Sequence, residues 1–226
     1  MKIIKNLNNN KSSSLKHEKT FNLLENSKNY KKNNKDNKEE RLLDEGYQLF
    51  TTKGLKNTSI QDIVEKANVA KGTFYLYFKD KYELRDILII KKSNKLFKDA
   101  LSSLDKSNIT NFADQIIYIV DYVINEFINN PLLLKFISKD LAWGVFNKTI
   151  LELYSRYESQ EDGLVNLFLN GVRENNLKLE NPHVTLFMII ELVSSTCFTS
   201  ILYKEPLPIE EYKPFLHKEI IKLMQC

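Results

Sequence analysis

Between Thr58 and Leu84 the chain reads TSIQDIVEKANVAKGTFYLYFKDKYEL, and its apolar spacing suits two short helices meeting at a tight turn, with a third starting at once. Ile60, Ile63, Val64 and Ala67 recur at i, i+3, i+4 and i+7, which lays one apolar stripe along a helix. Thr58 and Gln61 are spaced as a capping box at its start. Asn68, Val69 and Ala70 make the turn, because asparagine tolerates the left-handed backbone of a sharp reversal and Val69 can plug the angle between the helices. The second helix begins at about Lys71. Phe74 and Phe78 share its inner face, so Gly72, Thr73 and Leu76 fall opposite, with Tyr75 and Tyr77 at the edges. Asp80 and Glu83 form a further box-like cap for the helix that follows.

Turned away from the core, the second helix keeps Lys71, Gly72, Thr73, Tyr75, Leu76 and Tyr77 together, where a merely structural helix more often carries mixed Glu and Lys. Such a face suits a helix laid in the major groove of DNA, its first turn against base edges. Thr58 and Ser59 at the preceding helix start, and Lys81 reaching for a phosphate, complete the candidate DNA-binding set. A helix-turn-helix shape also occurs in proteins that never touch DNA. The composition of the outer face is what favours DNA here.

KGTFYLYFKDKYEL, with TSIQDIVEKANV before it and LFTTKG earlier, resembles the helix-turn-helix signature of the TetR family of bacterial transcriptional regulators, over roughly Glu40 to Leu88. The chain departs from the usual pattern at Gly46 and Val64, where alanine is common, at Asn68 for the turn glycine, and at Ala70 for a serine that often caps the recognition helix. Ala70 removes a side-chain cap worth on the order of 1 kcal/mol. The resemblance implies an all-α protein, with an N-terminal three-helix head and a C-terminal helical ligand-binding and dimerisation domain. It implies a cytoplasmic homodimeric repressor that binds a palindromic operator, an inverted repeat in double-stranded DNA, and is released by a small lipophilic or aromatic effector. The alternative on the same fold is a DNA-bound adaptor that recruits a protein partner without a small-molecule ligand.

At 226 residues and 42% hydrophobic, the chain can build one large or two small cores. Residues 1–36 read as a disordered, basic Asn/Lys-rich tail, residues 37–84 as the DNA-binding head and residues 85–226 as the body. Nine lysines against Glu18, Glu25 and Asp36 place the chain's whole positive excess in the tail, which is either an arm for phosphates or a bystander. Cys197 and Cys226 show neither disulfide nor metal spacing, and His17, His183 and His217 are scattered, so no metal and no cofactor is expected. No phosphate loop, nucleophile elbow or HExxH motif supports catalysis. No uninterrupted apolar run approaches the ~18 residues of a membrane span, since Glu191 breaks the longest, and no membrane partner is expected.

Helix 1 is predicted from Lys38 to Lys53, stopped by Gly54. A long helix from Asp80 to about Leu101 connects head to body and is the expected lever of any ligand switch. Further helices are predicted over Ile109 to Asn129, Leu132 to Trp143 with Gly144 as the stop, Phe146 to Asn175, Val184 to Tyr203 and Ile209 to Met224, with Asn130-Pro131 and Asn181-Pro182 as starts. Tyr118, Tyr122, Phe136, Trp143, Phe146, Tyr154, Phe168 and Phe187 are the expected pocket rings, on helices that the resembling family arranges around a ligand. Rings at helical spacing are more often core. Phe187, Ile190, Val193, Phe198 and Ile201, with Tyr212, Phe215, Leu216, Ile220 and Leu223, give the last two helices wide apolar faces and form the expected dimer interface.

Overall fold

The computed structural model describes residues 37–147 and 163–225, and every regular element among them is helical. The expected tail and the stretch containing Tyr154 lie outside the described residues. Helix α1 covers residues 37–52, and Gly54, at φ 82°, turns the chain after it. Helix α2 (Ile60–Lys66) starts one residue later than the Thr58/Gln61 spacing predicts. Ser59 is its N-cap: the Ser59 hydroxyl accepts from the Asp62 N–H, and the Asp62 carboxylate accepts from the Ser59 N–H at 2.9 Å. The register moves because Thr58 is committed elsewhere, buried with its hydroxyl donating to the Gly54 carbonyl at 2.9 Å.

Asn68, at φ 52°, makes the reversal into α3 (Lys71–Phe74), whose N-cap Ala70 supplies no side-chain bond. Beyond Phe74 one more turn is held by the Phe78 N–H donating to the Phe74 carbonyl at 2.9 Å. Ile63, Val64, Phe74 and Phe78 form one core with Leu42, Leu43 and Phe50 of α1. Gly46 permits this packing, since a Cβ there would lie 2.5 Å from Leu84 Cδ2.

Helix α4 (Lys81–Leu104) carries the chain from head to body. Asp80 caps it by accepting from the Tyr82 and Glu83 N–H groups at 2.8 and 2.9 Å, and the Glu83 carboxylate accepts from the Lys79 N–H. Leu84, Ile87 and Leu88 belong to the head core, whereas Leu96, Phe97, Ala100 and Leu104 belong to a second core in the body. That second core is completed by α5 (Phe112–Asn129), α6 (Pro131–Ile137), a 3-10 turn (Ser138–Asp140), α7 (Leu141–Phe146), α8 (Gly163–Glu174), α9 (Pro182–Tyr203) and α10 (Ile209–Leu223). The Asn-Pro starts are as predicted: Asn130 and Asn181 accept from the N–H groups of Leu133 and Val184, and proline takes the first helical position, where no N–H is needed.

Gly144 does not end a helix. It lies buried inside α7, where a Cβ would come 2.7 Å from Ser93 Oγ, so its role is close approach of α7 to α4. Helix α9, which holds an 18-residue window of mean hydropathy 1.8, is long and apolar enough to cross a membrane by length and composition, a signal that a search for uninterrupted runs misses at Glu191. In the fold it is the central helix of the body, packed on α5, α7, α8 and α10 with Leu186, Ile189, Ile190, Val193 and Cys197 buried. Burial pushes the Cys197 thiol up to about 12, so it behaves there as a small apolar group. His217 of α10 meets Asp121 of α5 at 2.9 Å and ties the last helix to the same core.

Gly171 of α8 tests how tightly this core is built. An added Cβ would lie 2.0 Å from Phe112 Cε2, and the Phe112 ring is itself held against Phe168 at 5.7 Å between centroids. Gly171→Ala should therefore lower stability by about 1–3 kcal/mol in urea unfolding. Gly72→Ala, where the added atom meets nothing within 4 Å, should leave it unchanged or slightly raised.

Candidate nucleic-acid interface

The turn-linked helices present one exposed ridge. Leu76, 78% exposed, and Tyr75, 53% exposed, stand furthest out; Lys71 and Gly72 are exposed beside them, and Thr73 and Tyr77 are half-buried at the edges. Phe74 beneath them is fully buried, its ring centroid 5.4 Å from that of Phe78, so the core grips α3 by one side and leaves the other to solvent. Ser59 is exposed at the start of α2, and its hydroxyl, already accepting from Asp62, keeps its own proton to donate. The Ser59 bonds hold the Asp62 carboxyl below the usual carboxylate range, so this cap persists until the pH falls through that lowered value.

Two of the predicted contacts turn inward. Thr58 is buried, with its hydroxyl used inside the head, and it presents nothing to a ligand. Lys81 Nζ donates to the carbonyls of Thr58 at 2.7 Å, Leu55 at 2.8 Å and Lys56 at 3.4 Å. All three ammonium donors are thus engaged within the chain. Lys81 closes the loop between α1 and α2 onto the start of α4, a positioning role that replaces the phosphate contact read from sequence. Lys56 and Lys79 are exposed on either side of this tether. Exposed Tyr82, with the Lys81 ammonium 5.6 Å from its ring centroid, joins the same edge. Lys79 and Tyr82 lie within the KGTFYLYFKDKYEL stretch and Lys56 just before TSIQDIVEKANV, so position in the chain is their signal in sequence.

Among the described residues, the expected pocket rings do not line the body cavity. This cavity of about 30 Å³ is lined by eleven apolar side chains, among them Phe97, Ile116, Val120, Leu141, Ile189 and Val193. None of the predicted rings is among them. Tyr118 shares a 2.7 Å hydrogen bond with Ser103, Phe168 packs on Phe112, Phe146 packs on Phe187 at 5.8 Å, and Phe136 meets Tyr47 of the head at 5.1 Å. Tyr122 and Trp143 are half-buried away from the cavity, and Tyr154 is outside the described residues. The polar tips of tyrosine and tryptophan favour helix edges where they can be solvated or bonded, whereas Phe127 and Phe168, without such tips, are fully buried.

Of the predicted dimer set, Ile190, Val193, Leu216 and Ile220 are buried in the chain's own core, because α9 and α10 pack on each other and on α5. Phe198, Ile201, Tyr212 and Leu223 are half-buried. Phe187 and Phe215 are exposed, at 42% and 62%, as are Val184 and Met188 on the first turns of α9.

Head and body are joined by more than α4. Arg85 Nη2 meets Asp140 Oδ2 at 2.5 Å while Nη1 meets Asp86 at 2.8 Å. The Lys92 ammonium sits 4.4 Å from the centroid of the Tyr47 ring, which in turn meets Phe136. The segment from α6 to α7 is therefore fastened to the head at Phe136 and Asp140, and the next residue, Leu141, lines the cavity.

Residues 42–86 match the family model described as bacterial regulatory proteins, tetR family. The head belongs to the TetR family. Sequence likeness is concentrated in this TetR head: the uncharacterized HTH-type transcriptional regulator YvdT of Bacillus subtilis is 49% identical over 47 residues, 21% of this chain and 24% of that protein. The match thus spans about a quarter of that relative's length. The likeness of fold extends further. The transcriptional regulator FadR of Bacillus subtilis, solved in complex with stearoyl-CoA, aligns with a TM-score of 0.56 at 14% identity, over 80% of this chain and 96% of that one. A TetR family transcription regulator from Marinobacter aquaeolei aligns with a TM-score of 0.55 at 18% identity, over 85% and 97%. At such identities the likeness is one of fold, a TetR head on a helical body.

The inward turn of Lys81 separates two lysines that look alike in sequence. Lys81→Met should lower thermal stability, by about 1–3 kcal/mol for the lost charged hydrogen bonds, and weaken DNA binding without changing its salt slope. Lys79→Ala should keep stability and flatten the slope of log affinity against log salt by about 0.9.

Proposed function

We propose that this chain is a cytoplasmic, homodimeric transcriptional regulator that binds an inverted repeat in double-stranded DNA as a repressor, and that a small apolar effector held in the body releases it. The observation that carries the proposal is the capped α2–α3 pair with its exposed ridge of Lys71, Gly72, Thr73, Tyr75, Leu76 and Tyr77, inside the stretch that matches the family. In this reading Lys71 and Thr73, in the first turn of α3, meet base edges, while Ser59, Tyr77 and Lys79 meet phosphates and set the register. A two-fold operator requires two heads, and the exposed apolar side chains of Val184, Phe187 and Met188 on α9 and of Phe215 on α10 support pairing through these helices.

The apolar cavity, and the stearoyl-CoA bound by a protein of the same fold, support an effector site in the body. An effector changes operator affinity only by binding one arrangement of the heads better than the other. The fastenings at Arg85–Asp140 and Tyr47–Phe136, together with α4, give it a route. The small size of the cavity favours a second reading as well, a DNA-bound adaptor that recruits a protein partner without a ligand.

Selection of bound genomic fragments by the purified protein should return an inverted repeat. Thr73→Val should change which bases are preferred, and Tyr77→Ala should weaken all sites alike; fragments with no two-fold symmetry would sink the proposal. Replacing both Phe187 and Phe215 by Asp should give monomers in sedimentation and reduce operator affinity by roughly 10²-fold or more, through loss of the second head. An effector that weakens DNA binding by about 1–3 kcal/mol must itself bind the DNA complex more weakly by the same factor, which calorimetry measures.

A further inference from the structure

Five of the chain's six glycines have a reason inside the molecule, and Gly72 has none. A Cβ at Gly46, Gly144, Gly163 or Gly171 would come 2.0 to 2.7 Å from Leu84, Ser93, Leu101 or Phe112, and Gly54 holds a φ of 82° that residues with side chains rarely adopt. At Gly72 the backbone is ordinary helix, and an added Cβ would meet no described atom within 4 Å. Glycine is less favourable than alanine in a helix, so alanine would serve the isolated chain better. The room at Gly72 serves something outside the chain.

Gly72 is exposed in the first turn of α3, between Lys71 and Thr73, on the ridge that the regulator reading lays in the major groove. Leu76, four residues on and 78% exposed, continues the same side. Phe74, two residues on, is fully buried with Ile63, Val64 and Phe78, which fixes how far the backbone at Gly72 stands out and keeps α3 from retreating under a close contact. The missing Cβ thus leaves a rigid notch about the width of a methyl group. With no side-chain donor or acceptor of its own, the notch selects by shape. Among base edges in the major groove the one apolar protrusion is the C5-methyl of thymine.

We propose that Gly72 is a specificity-determining residue, whose missing side chain admits the 5-methyl group of one thymine in each half of the operator. This rests on the DNA-binding reading of α3 and adds to it a base and the residue that chooses it. Lys71 and Thr73 carry the polar groups of the same turn, and Gly72 supplies the space between them. A Cβ is itself methyl-sized. In place of the glycine hydrogen it would fill the volume of the thymine methyl, and with Phe74 holding the helix the two cannot both be accommodated. Taking the methyl from the DNA then undoes the harm of adding one to the protein.

The test uses the full chain, the inverted repeat it selects from genomic fragments, and copies of that repeat in which each thymine in turn, in both halves, is replaced by deoxyuridine, which lacks only the 5-methyl. At one such position the unsubstituted chain should bind about three- to fourfold more weakly per half-site. Gly72→Ala should unfold at the same temperature or slightly higher and bind the thymine repeat at least about tenfold more weakly. It should recover most of that loss on the repeat carrying deoxyuridine at the same position. Three binding results overturn the proposal: Gly72→Ala binding the thymine repeat as tightly as the unsubstituted chain; a loss that no deoxyuridine repeat restores, as close approach of a phosphate would give; or thymine methyls that are all without effect on the unsubstituted chain. A Gly72→Ala chain that unfolds markedly earlier overturns it too, by showing an internal role. In each of these cases the unsubstituted chain still selects its repeat and the regulator reading stands, whereas a chain that selects none sinks both.

Discussion

Helix α4 has to satisfy two cores at once, and the rest of the structure is arranged around that demand. Its first turns are buried with Phe74, Phe78 and Leu42, its later turns with Phe112, Ile116 and Phe168. A helix of 24 residues is about 36 Å of continuous hydrogen-bonded rod. The start of that rod is where the head is adjusted: Asp80 caps it, and Lys81, one residue on, holds three carbonyls of the loop that leads into α2. The angle at which the exposed ridge of α3 meets solvent is thereby referred to the same helix that lies in the wall of the cavity.

A rod alone would transmit little if the head could swivel about it. The edge contact of Tyr47 with Phe136 and the pairing of Arg85 with Asp140 supply a second line of attachment, through α6 and the 3-10 turn. These groups are partly buried, so their charges are shielded less by water than surface pairs are. Burial lowers the Lys92 pKa and raises that of Asp86, which marks the junction as a place where charge is held at some cost.

Glycines set how closely the body helices approach. At Gly144 and Gly171 a single methyl would collide with Ser93 and Phe112, so α4 meets α7, and α8 meets α5, nearly backbone to side chain. Close approach of this kind leaves little free volume, and the body cavity is correspondingly small, at about 30 Å³, with Phe97 the one ring among the described residues of its lining.

The local sequence was enough to establish much of what neighbours in the chain govern, though the α2 cap falls at Ser59 and not at Thr58. Helix periodicity placed α2 to α5 within a few residues, the Asn-Pro pairs marked the starts of α6 and α9, Asn68 marked the reversal, and the outer face of α3 followed from the four-residue spacing of Phe74 and Phe78. What depended on residues far apart was not legible. Thr58 and Lys81 carry the same side chains whether they face solvent or fold inward, and only the approach of α4 to the α1–α2 loop, 23 to 26 residues away in sequence, turned the ammonium onto carbonyls. Gly144 reads as a helix stop until α4 is seen against it. Ile190, Val193, Leu216 and Ile220 read as an outward face until α9 and α10 are found packed on each other and on α5. Periodicity reports which residues share a side of a helix, and tertiary packing alone decides what that side touches.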